Sequence, residues 1–225
     1  MRFDGITIEP EEISDLTGEP GSLPSGSVTL LNWFDKPTTI TASGRVEGYR
    51  KTETKKLTPD DDTASIPLAF TSAIKAVRIR VEFSDQDYEK FTDAAVNVYD
   101  ASGKAISQQG LNEPVLEFTV DNPEAGAESA GGKLEVRPAF AQPNCDASAK
   151  VAVRIDYLYK EPVDLKVERG GNPQVTLYPG IEAELRWSLE HEAPKPPSGM
   201  KTVGYIRAVE RGAKQPVAEA EILEK

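Results

Sequence analysis

Six aspartates in two acidic segments come closest, by residue type and spacing, to a metal-binding pattern. The segments are "PDDD" at residues 59–62 and "SDQDYEKFTD" at residues 84–93. Calcium takes about six to eight oxygen ligands, and acidic loops at one end of a β-sandwich can supply them. The spacing is not that of an EF-hand loop, so a solvated acidic surface is the alternative interpretation. The candidate calcium ligands are Asp60, Asp61, Asp62, Asp85, Asp87 and Asp93.

Candidates for nucleophilic and acid–base chemistry are few. His191 is the only histidine and Cys145 the only cysteine, which excludes a multi-histidine metal site and an intrachain disulfide. His191 precedes a proline-rich run, where a solvated loop histidine is expected. The sequence has no G-x-S-x-G elbow, and "AGGK" at residues 130–133 lacks the spacing of a phosphate-binding loop. We therefore predict no enzyme activity and no cofactor, with a hydrolase whose site is unrecognised as an alternative.

Aromatic side chains exposed together could stack against sugar rings, which would make the chain a carbohydrate-binding module. The same residue types are more often buried in a core. Trp187 falls on the inward side of an alternating pattern, which predicts a structural role for it. The aromatic candidates are Trp33, Trp187, Tyr88, Tyr99, Tyr157, Tyr159, Tyr178 and Tyr205.

The elements that must position these residues are strands. In "AVRIRVEF" at residues 76–83, Val77, Ile79, Val81 and Phe83 face one way and charged residues the other. "KVAVRIDYLY" at residues 150–159 alternates in the same way, and "VNVYDASGKAI" at residues 96–106 has the pattern of a β-hairpin with an Asp-Ala-Ser-Gly turn. No stretch sustains a helical period, so we predict an all-β protein.

One segment permits two interpretations. In "IEAELRWSL", alternation predicts a strand whose inward residues begin at Ile181 and include Leu185 and Trp187. Because Glu, Ala, Leu and Arg are also good helix formers, a helix over the same residues is the alternative.

Charge changes along the chain and predicts a domain boundary. The 225 residues carry a net charge of −11, nearly all of it before residue 163. We expect two mostly antiparallel β-sandwich modules, jelly-roll or immunoglobulin-like: an acidic one over residues 1–162, with an irregular N-terminal segment, and a small one over residues 163–225. The negative charge disfavours nucleic acid and anionic membranes as partners.

The sequence constrains the cellular location of the protein less than its fold. No segment approaches the ~20 apolar residues of a membrane helix, which predicts no membrane insertion. "MRFDGITIEPEE" at residues 1–12 lacks the features of a signal peptide. We expect a periplasmic or secreted protein, exported as part of a longer precursor; a cytoplasmic protein is the alternative.

The order of elements over residues 38–160 resembles the bacterial pre-peptidase C-terminal (PPC) domain, a jelly-roll sandwich. The matching stretches are "TTITASGRVEGYRK", "AVRIRVEF" and "DAAVNVYDASGKAI", followed by three closing strands. The chain lacks the paired aspartates usual in the third stretch. The resemblance implies a non-catalytic binding or structural accessory module of an exported bacterial protein. A protein or a polysaccharide is the expected partner, and the sequence leaves the oligomeric state open.

Overall fold

A computed structural model of the chain describes residues 5–14, 16, 22–123, 129–141 and 148–224. Strands account for 69% of the structure and helix for 2%. The predicted all-β sandwich class is therefore confirmed. Strand β13, defined below, occupies the segment for which a helix was the alternative, so the helical interpretation is wrong.

The strands of the described residues are numbered in chain order. They are β1 (Ile6–Glu9), β2 (Glu12–Ile13), β3 (Ser25–Asn32), β4 (Thr38–Leu57), β5 (Ala64–Thr71), β6 (Ile74–Phe83), β7 (Phe91–Tyr99), β8 (Ala105–Gly110), β9 (Val115–Asp121), β10 (Ser129–Phe140), β11 (Ala149–Glu168), β12 (Gln174–Leu177), β13 (Glu182–Leu189), β14 (Lys201–Glu210) and β15 (Ala218–Glu224).

Helix is confined to a single turn in the described part of the chain. This turn is α1 (Asp85–Tyr88), and its N-terminus is capped by Ser84, whose hydroxyl accepts a 3.1 Å hydrogen bond from the backbone N–H of Asp87. No helix in the described ranges has the length and apolar character needed to cross a bilayer.

The chain divides into two compact units, and one of them is continuous in sequence, Arg50–Glu161. It contains a four-stranded sheet in the order β5-β10-β7-β8, and β6 pairs with β9 on one side and β11 on the other. The predicted inward residues of β6, from Val77 to Phe83, are buried. Strand alternation therefore builds this core, as the sequence predicts.

The hairpin at residues 96–106 has the predicted turn. The Asp100 carboxylate accepts hydrogen bonds of 2.9 Å from the N–H of Ser102 and 3.0 Å from the N–H of Lys104. Gly103 adopts a φ of 83°, which glycine tolerates without steric cost. The aspartate and the glycine thus serve the turn between β7 and β8.

The second unit comprises Met1–Tyr49 and Pro162–Lys225. Strand β3 pairs with β1 on one side and with β13 on the other, and β12 pairs with residues 38–41 of β4. Strand β15 pairs with β14 and, in parallel, with β2. A Cβ atom on Gly204 of β14 would lie 2.1 Å from the carbonyl oxygen of Arg45, so only glycine permits this approach to β4.

The division between the units corrects the predicted one. The expected boundary near residue 162 falls at the joint between Glu161 and Pro162, but residues before Arg50 belong with the C-terminal residues and not with an N-terminal module of residues 1–162. The physical reason is strand pairing, because β3 is held by β13 across more than 150 residues of sequence. The predicted irregular N-terminal segment also contains two strands, β1 and β2.

Candidate functional site

The most distinctive surface feature is a set of exposed large apolar side chains. The described residues contain four, with exposed fractions of 37% for Leu23, 45% for Trp33, 55% for Tyr178 and 59% for Ile181. Single exposed apolar residues are ordinary on soluble proteins. Three of these four, however, come from two adjacent connections. We call Trp33, Tyr178 and Ile181 the aromatic platform.

The two connections are held side by side by backbone pairing. Residues 33–37 join β3 to β4, and residues 178–181 join β12 to β13. Asn32 forms a parallel bridge with Pro179, and its carbonyl oxygen accepts a 2.9 Å hydrogen bond from the N–H of Gly180. Trp33 therefore follows directly on the residue that is paired with the Tyr178–Ile181 turn.

The side chain of Asn32 fastens both connections. It is fully buried, and its amide nitrogen donates to the carbonyl oxygens of Lys36 at 2.9 Å and Leu177 at 3.0 Å. Its amide oxygen accepts a 2.9 Å hydrogen bond from the N–H of Phe34. The buried amide fixes the backbone around it, because losing the fully buried bond to Leu177 would leave a polar group without a partner.

A tight turn presents Tyr178 and Ile181. The N–H of Ile181 donates to the carbonyl oxygen of Tyr178 at 3.2 Å, and Gly180 has a φ of 67°. Proline at the second position and a positive φ at the third are the features of a type II β-turn. The dipeptide Pro179-Gly180 is thus the sequence signal for this turn.

Trp33 is anchored at two points. Its backbone N–H donates to the carbonyl oxygen of Gly5 at 2.8 Å, and its indole N–H donates to the hydroxyl of Thr7 at 3.1 Å. Because the only polar atom of the indole is used inside the chain, the exposed part of the ring offers an apolar surface. Polar side chains flank it: Asp35 and Lys36 are exposed on the same connection, and Glu182 is exposed next to Ile181.

Ile181 corrects one expectation from the sequence. Alternation placed it on the inward face of β13, and the later members of that face, Leu185 and Trp187 among them, are indeed buried. Ile181 precedes the first residue of the strand and belongs to the turn, so the alternation does not extend to it. The turn signal just before it would have identified this residue as exposed.

The other aromatic candidates are not exposed platforms. Trp187 is 4% exposed, as its inward position predicts, and Tyr157 and Tyr159 are also buried. The hydroxyl of Tyr88 donates to the carbonyl oxygen of Leu111 at 2.9 Å. Tyr99 lies under the ammonium group of Lys133 and Tyr205 under the guanidinium group of Arg207.

The six predicted calcium ligands do not form one cluster. Asp62 accepts a hydrogen bond from the hydroxyl of Thr63 at 2.9 Å and lies 4.0 Å from the guanidinium of Arg137. Asp93 accepts from the N–H of Ala94. Over the described residues, no group of three or more histidine, cysteine, aspartate or glutamate side chains is close enough to hold a metal. Asp60 and Asp61 lie in the turn before β5.

Asp87 is held within the chain by the Lys90 ammonium group and by a backbone N–H group. Its carboxylate lies 2.5 Å from the ammonium of Lys90 and accepts a 3.0 Å hydrogen bond from the N–H of Lys150. Partial burial raises the pKa of Asp87, but the hydrogen bonds from Lys90 and Lys150 outweigh it and lower the pKa below 3.8. Asp85 is exposed on the same helical turn. Calcium binding by the predicted set stays a prediction.

The remaining candidates for catalysis or phosphate binding are His191, Cys145 and the "AGGK" segment. His191 is exposed in the connection after β13. Cys145 lies outside the described residues. "AGGK" is part of β10, where a Cβ on Gly132 would lie 2.6 Å from the carbonyl oxygen of Tyr99 and 2.7 Å from the ring of Phe70. Gly132 therefore serves close packing within a sheet and does not belong to a phosphate-binding loop.

No protein-family model and no curated protein matches the sequence. Among solved structures, the periplasmic g-type lysozyme inhibitor PliG of Aeromonas hydrophila aligns with 48% of this chain and 86% of its own at 10% identity and a TM-score of 0.30. The CBM51-2 and INT domains of Clostridium perfringens ZmpB, solved with GlcNAc, align with 70% of this chain and 42% of theirs at 14% identity and a TM-score of 0.30.

A protein in the structure of the infectious bursal disease virus Gt strain aligns with 82% of this chain and 47% of its own at 11% identity and a TM-score of 0.27. This chain therefore spans less than half of the Clostridium and viral chains. Similarity at this level identifies no family and assigns no ligand.

Proposed function

We propose that this chain is a non-catalytic binding module and that the aromatic platform is its binding surface. The observation that carries the proposal is the buried Asn32, which fastens both connections that present Trp33, Tyr178 and Ile181. The chain exposes these side chains from a backbone that is already fixed. Binding to such a surface costs little ordering entropy, which is the general advantage of preorganisation.

The residue types of the platform favour a binding surface over a catalytic site. Tryptophan and tyrosine dominate the energetics of binding surfaces because each buries a large apolar area with few rotatable bonds. The flanking Asp35, Lys36 and Glu182 supply a polar rim. The alternative, a hydrolase, would have to use His191, which is exposed in a loop, or carboxylates elsewhere.

The module is proposed as an accessory part of an exported bacterial protein. The resemblance of residues 38–160 to the PPC domain supports this role, because such domains are appended to secreted peptidases. The continuous unit Arg50–Glu161 covers most of that range. A periplasmic or secreted location belongs to the same proposal.

The test is a binding survey with platform variants. The full chain is co-sedimented with insoluble chitin, cellulose and peptidoglycan, and is also immobilised for selection of a phage-displayed peptide library. We expect at least one saturable ligand whose affinity falls at least tenfold in Trp33→Ala and in Tyr178→Ala. Leu23→Ala is the matched control, since Leu23 is an exposed apolar residue beyond the opposite end of β3.

The eight residues of β3 separate the control from the platform by roughly 27 Å. Leu23→Ala should bind as the wild type does. The proposal is overturned if the survey yields no saturable ligand, or if the ligands found bind Trp33→Ala and the wild type equally.

A further inference from the structure

We infer that the ligand of the aromatic platform is an uncharged oligosaccharide whose sugar rings stack on the exposed side chains of Trp33 and Tyr178. This inference rests on the proposed function and adds the chemical class of the ligand. It is drawn from the size of the platform, the polarity of its parts and the charge of the chain.

The platform is too small for an ordinary protein partner. Its three side chains, each about half exposed, together offer roughly 200–300 Å². A stable protein–protein interface buries about 800 Å² on each partner. The platform therefore matches a ligand of one or a few rings.

The polarity of the platform matches the two sides of a sugar ring. A pyranose has an apolar C–H face and a rim of hydroxyl groups. The indole N–H of Trp33 is already donated to Thr7, so the exposed indole offers a face for stacking and no hydrogen bond. Asp35, Lys36 and Glu182 flank the platform and carry the acceptors and the donor that hydroxyl groups require.

The negative charge of the chain favours neutral saccharides over anionic ones. A net charge of −11 repels anionic polymers, and two of the three flanking charged residues, Asp35 and Glu182, are acidic. A neutral saccharide carries no such penalty. Weak binding at one such site gains apparent affinity when the ligand unit is repeated along a polymer.

The sequence supplies a reporter for the test. Of the two tryptophans, Trp33 is 45% exposed and Trp187 is 4% exposed, so a ligand on the platform changes the emission of Trp33. The full chain is titrated with chitohexaose, cellohexaose and the anionic oligogalacturonate while tryptophan emission is followed. We expect saturable binding of a neutral oligosaccharide, at least tenfold weaker in Tyr178→Ala and unchanged in Leu23→Ala.

The emission change should vanish in Trp33→Ala, and isothermal calorimetry on the same variant should show the binding itself lost. Near-identical circular dichroism spectra and melting midpoints establish that the variants are folded. If the platform binds only peptides in the survey above, the saccharide inference is overturned and the proposed binding function stands. If neither class binds, both fall. Preferential binding of oligogalacturonate would overturn the inference that the ligand is neutral.

Discussion

The amide nitrogen of Asn32 donates a 3.0 Å hydrogen bond to the carbonyl oxygen of Leu177, a residue 145 positions further along the chain. This contact joins the end of β3 to the end of β12 and fixes the base of the aromatic platform. Asn32 and Leu177 are both buried, so this hydrogen bond is shielded from solvent.

Replacing Asn32 with alanine should therefore lower the free energy of unfolding by about 1–3 kcal/mol, since buried carbonyl groups lose their donor. Urea denaturation measures this change. Thr39→Ala is the matched control, because the Thr39 hydroxyl makes an exposed 3.1 Å contact with Thr176 and its loss should cost less than about 0.5 kcal/mol. Equal costs for the two variants would contradict the role given to Asn32.

Among the ion pairs of the continuous unit, substitution at the Arg50–Asp156 pair should cost the most stability. Its two hydrogen bonds measure 2.6 Å and 3.0 Å, and both side chains are buried. Asp156→Ala leaves a buried guanidinium without its carboxylate, so we expect a loss of about 3–5 kcal/mol. Replacing both residues, Arg50→Met with Asp156→Leu, should restore much of it. The exposed pair Arg45–Asp164 is the control, and Arg45→Met should cost about 0–1 kcal/mol.

Acid should remove a contribution that Asp87 makes to stability. Partial burial raises its pKa, but Lys90 and the Lys150 N–H lower it more, so the folded-state pKa lies below the ordinary value of 3.8. The contribution is fully present above the unfolded-state pKa and is lost as the pH falls through the lower, folded-state value. Unfolding free energies measured from pH 7 down to about pH 2 should fall less steeply in Asp87→Asn. A decline as steep in Asp87→Asn as in the wild type would contradict this contribution.

Buried apolar residues should tolerate substitution less well than the exposed His191. Ile79 and Ile155 face each other across β6 and β11 and are almost fully buried. Replacing either with alanine should cost about 2–5 kcal/mol, through lost transfer free energy and the cavity left behind. His191→Ala should change the free energy of unfolding by less than about 0.5 kcal/mol, because the residue is exposed in a loop. A large loss at His191 with tolerance at Ile79 would reverse this assignment.

Calcium should raise the melting temperature only slightly, and magnesium should raise it equally. Asp87 and Asp62 already have basic partners, and screening of the negative surface acts with either ion. Thermal melts in millimolar calcium, in magnesium and with a chelator measure the difference. A calcium-specific rise that is abolished by replacing Asp85 and Asp87 with alanine would establish the metal site that the sequence predicts, since a ligand specific to the folded state stabilises it by mass action.

The sequence by itself determined the fold class and the local turns. Alternating apolar residues identified β6 and β11 as strands, and Asp100 with Gly103 identified the turn between β7 and β8. These features depend on neighbours within about ten residues, so the pattern of residue types is sufficient to predict them.

Only the tertiary structure decided how the chain divides and which exposed residues meet. The pairing of β3 with β13 assigns the first 49 residues to the unit that contains the C-terminus. The bridge between Asn32 and Pro179 places the connection that carries Trp33 next to the one that carries Tyr178. Asn32 is recognisable as an anchor only once Leu177 is known to be its neighbour. In the acidic segments, Asp62, Asp87 and Asp93 have local or cross-strand partners within the chain, which their sequence spacing does not reveal. Contacts between residues 145 positions apart follow from strand order and register, and strand patterns alone do not encode which strands pair.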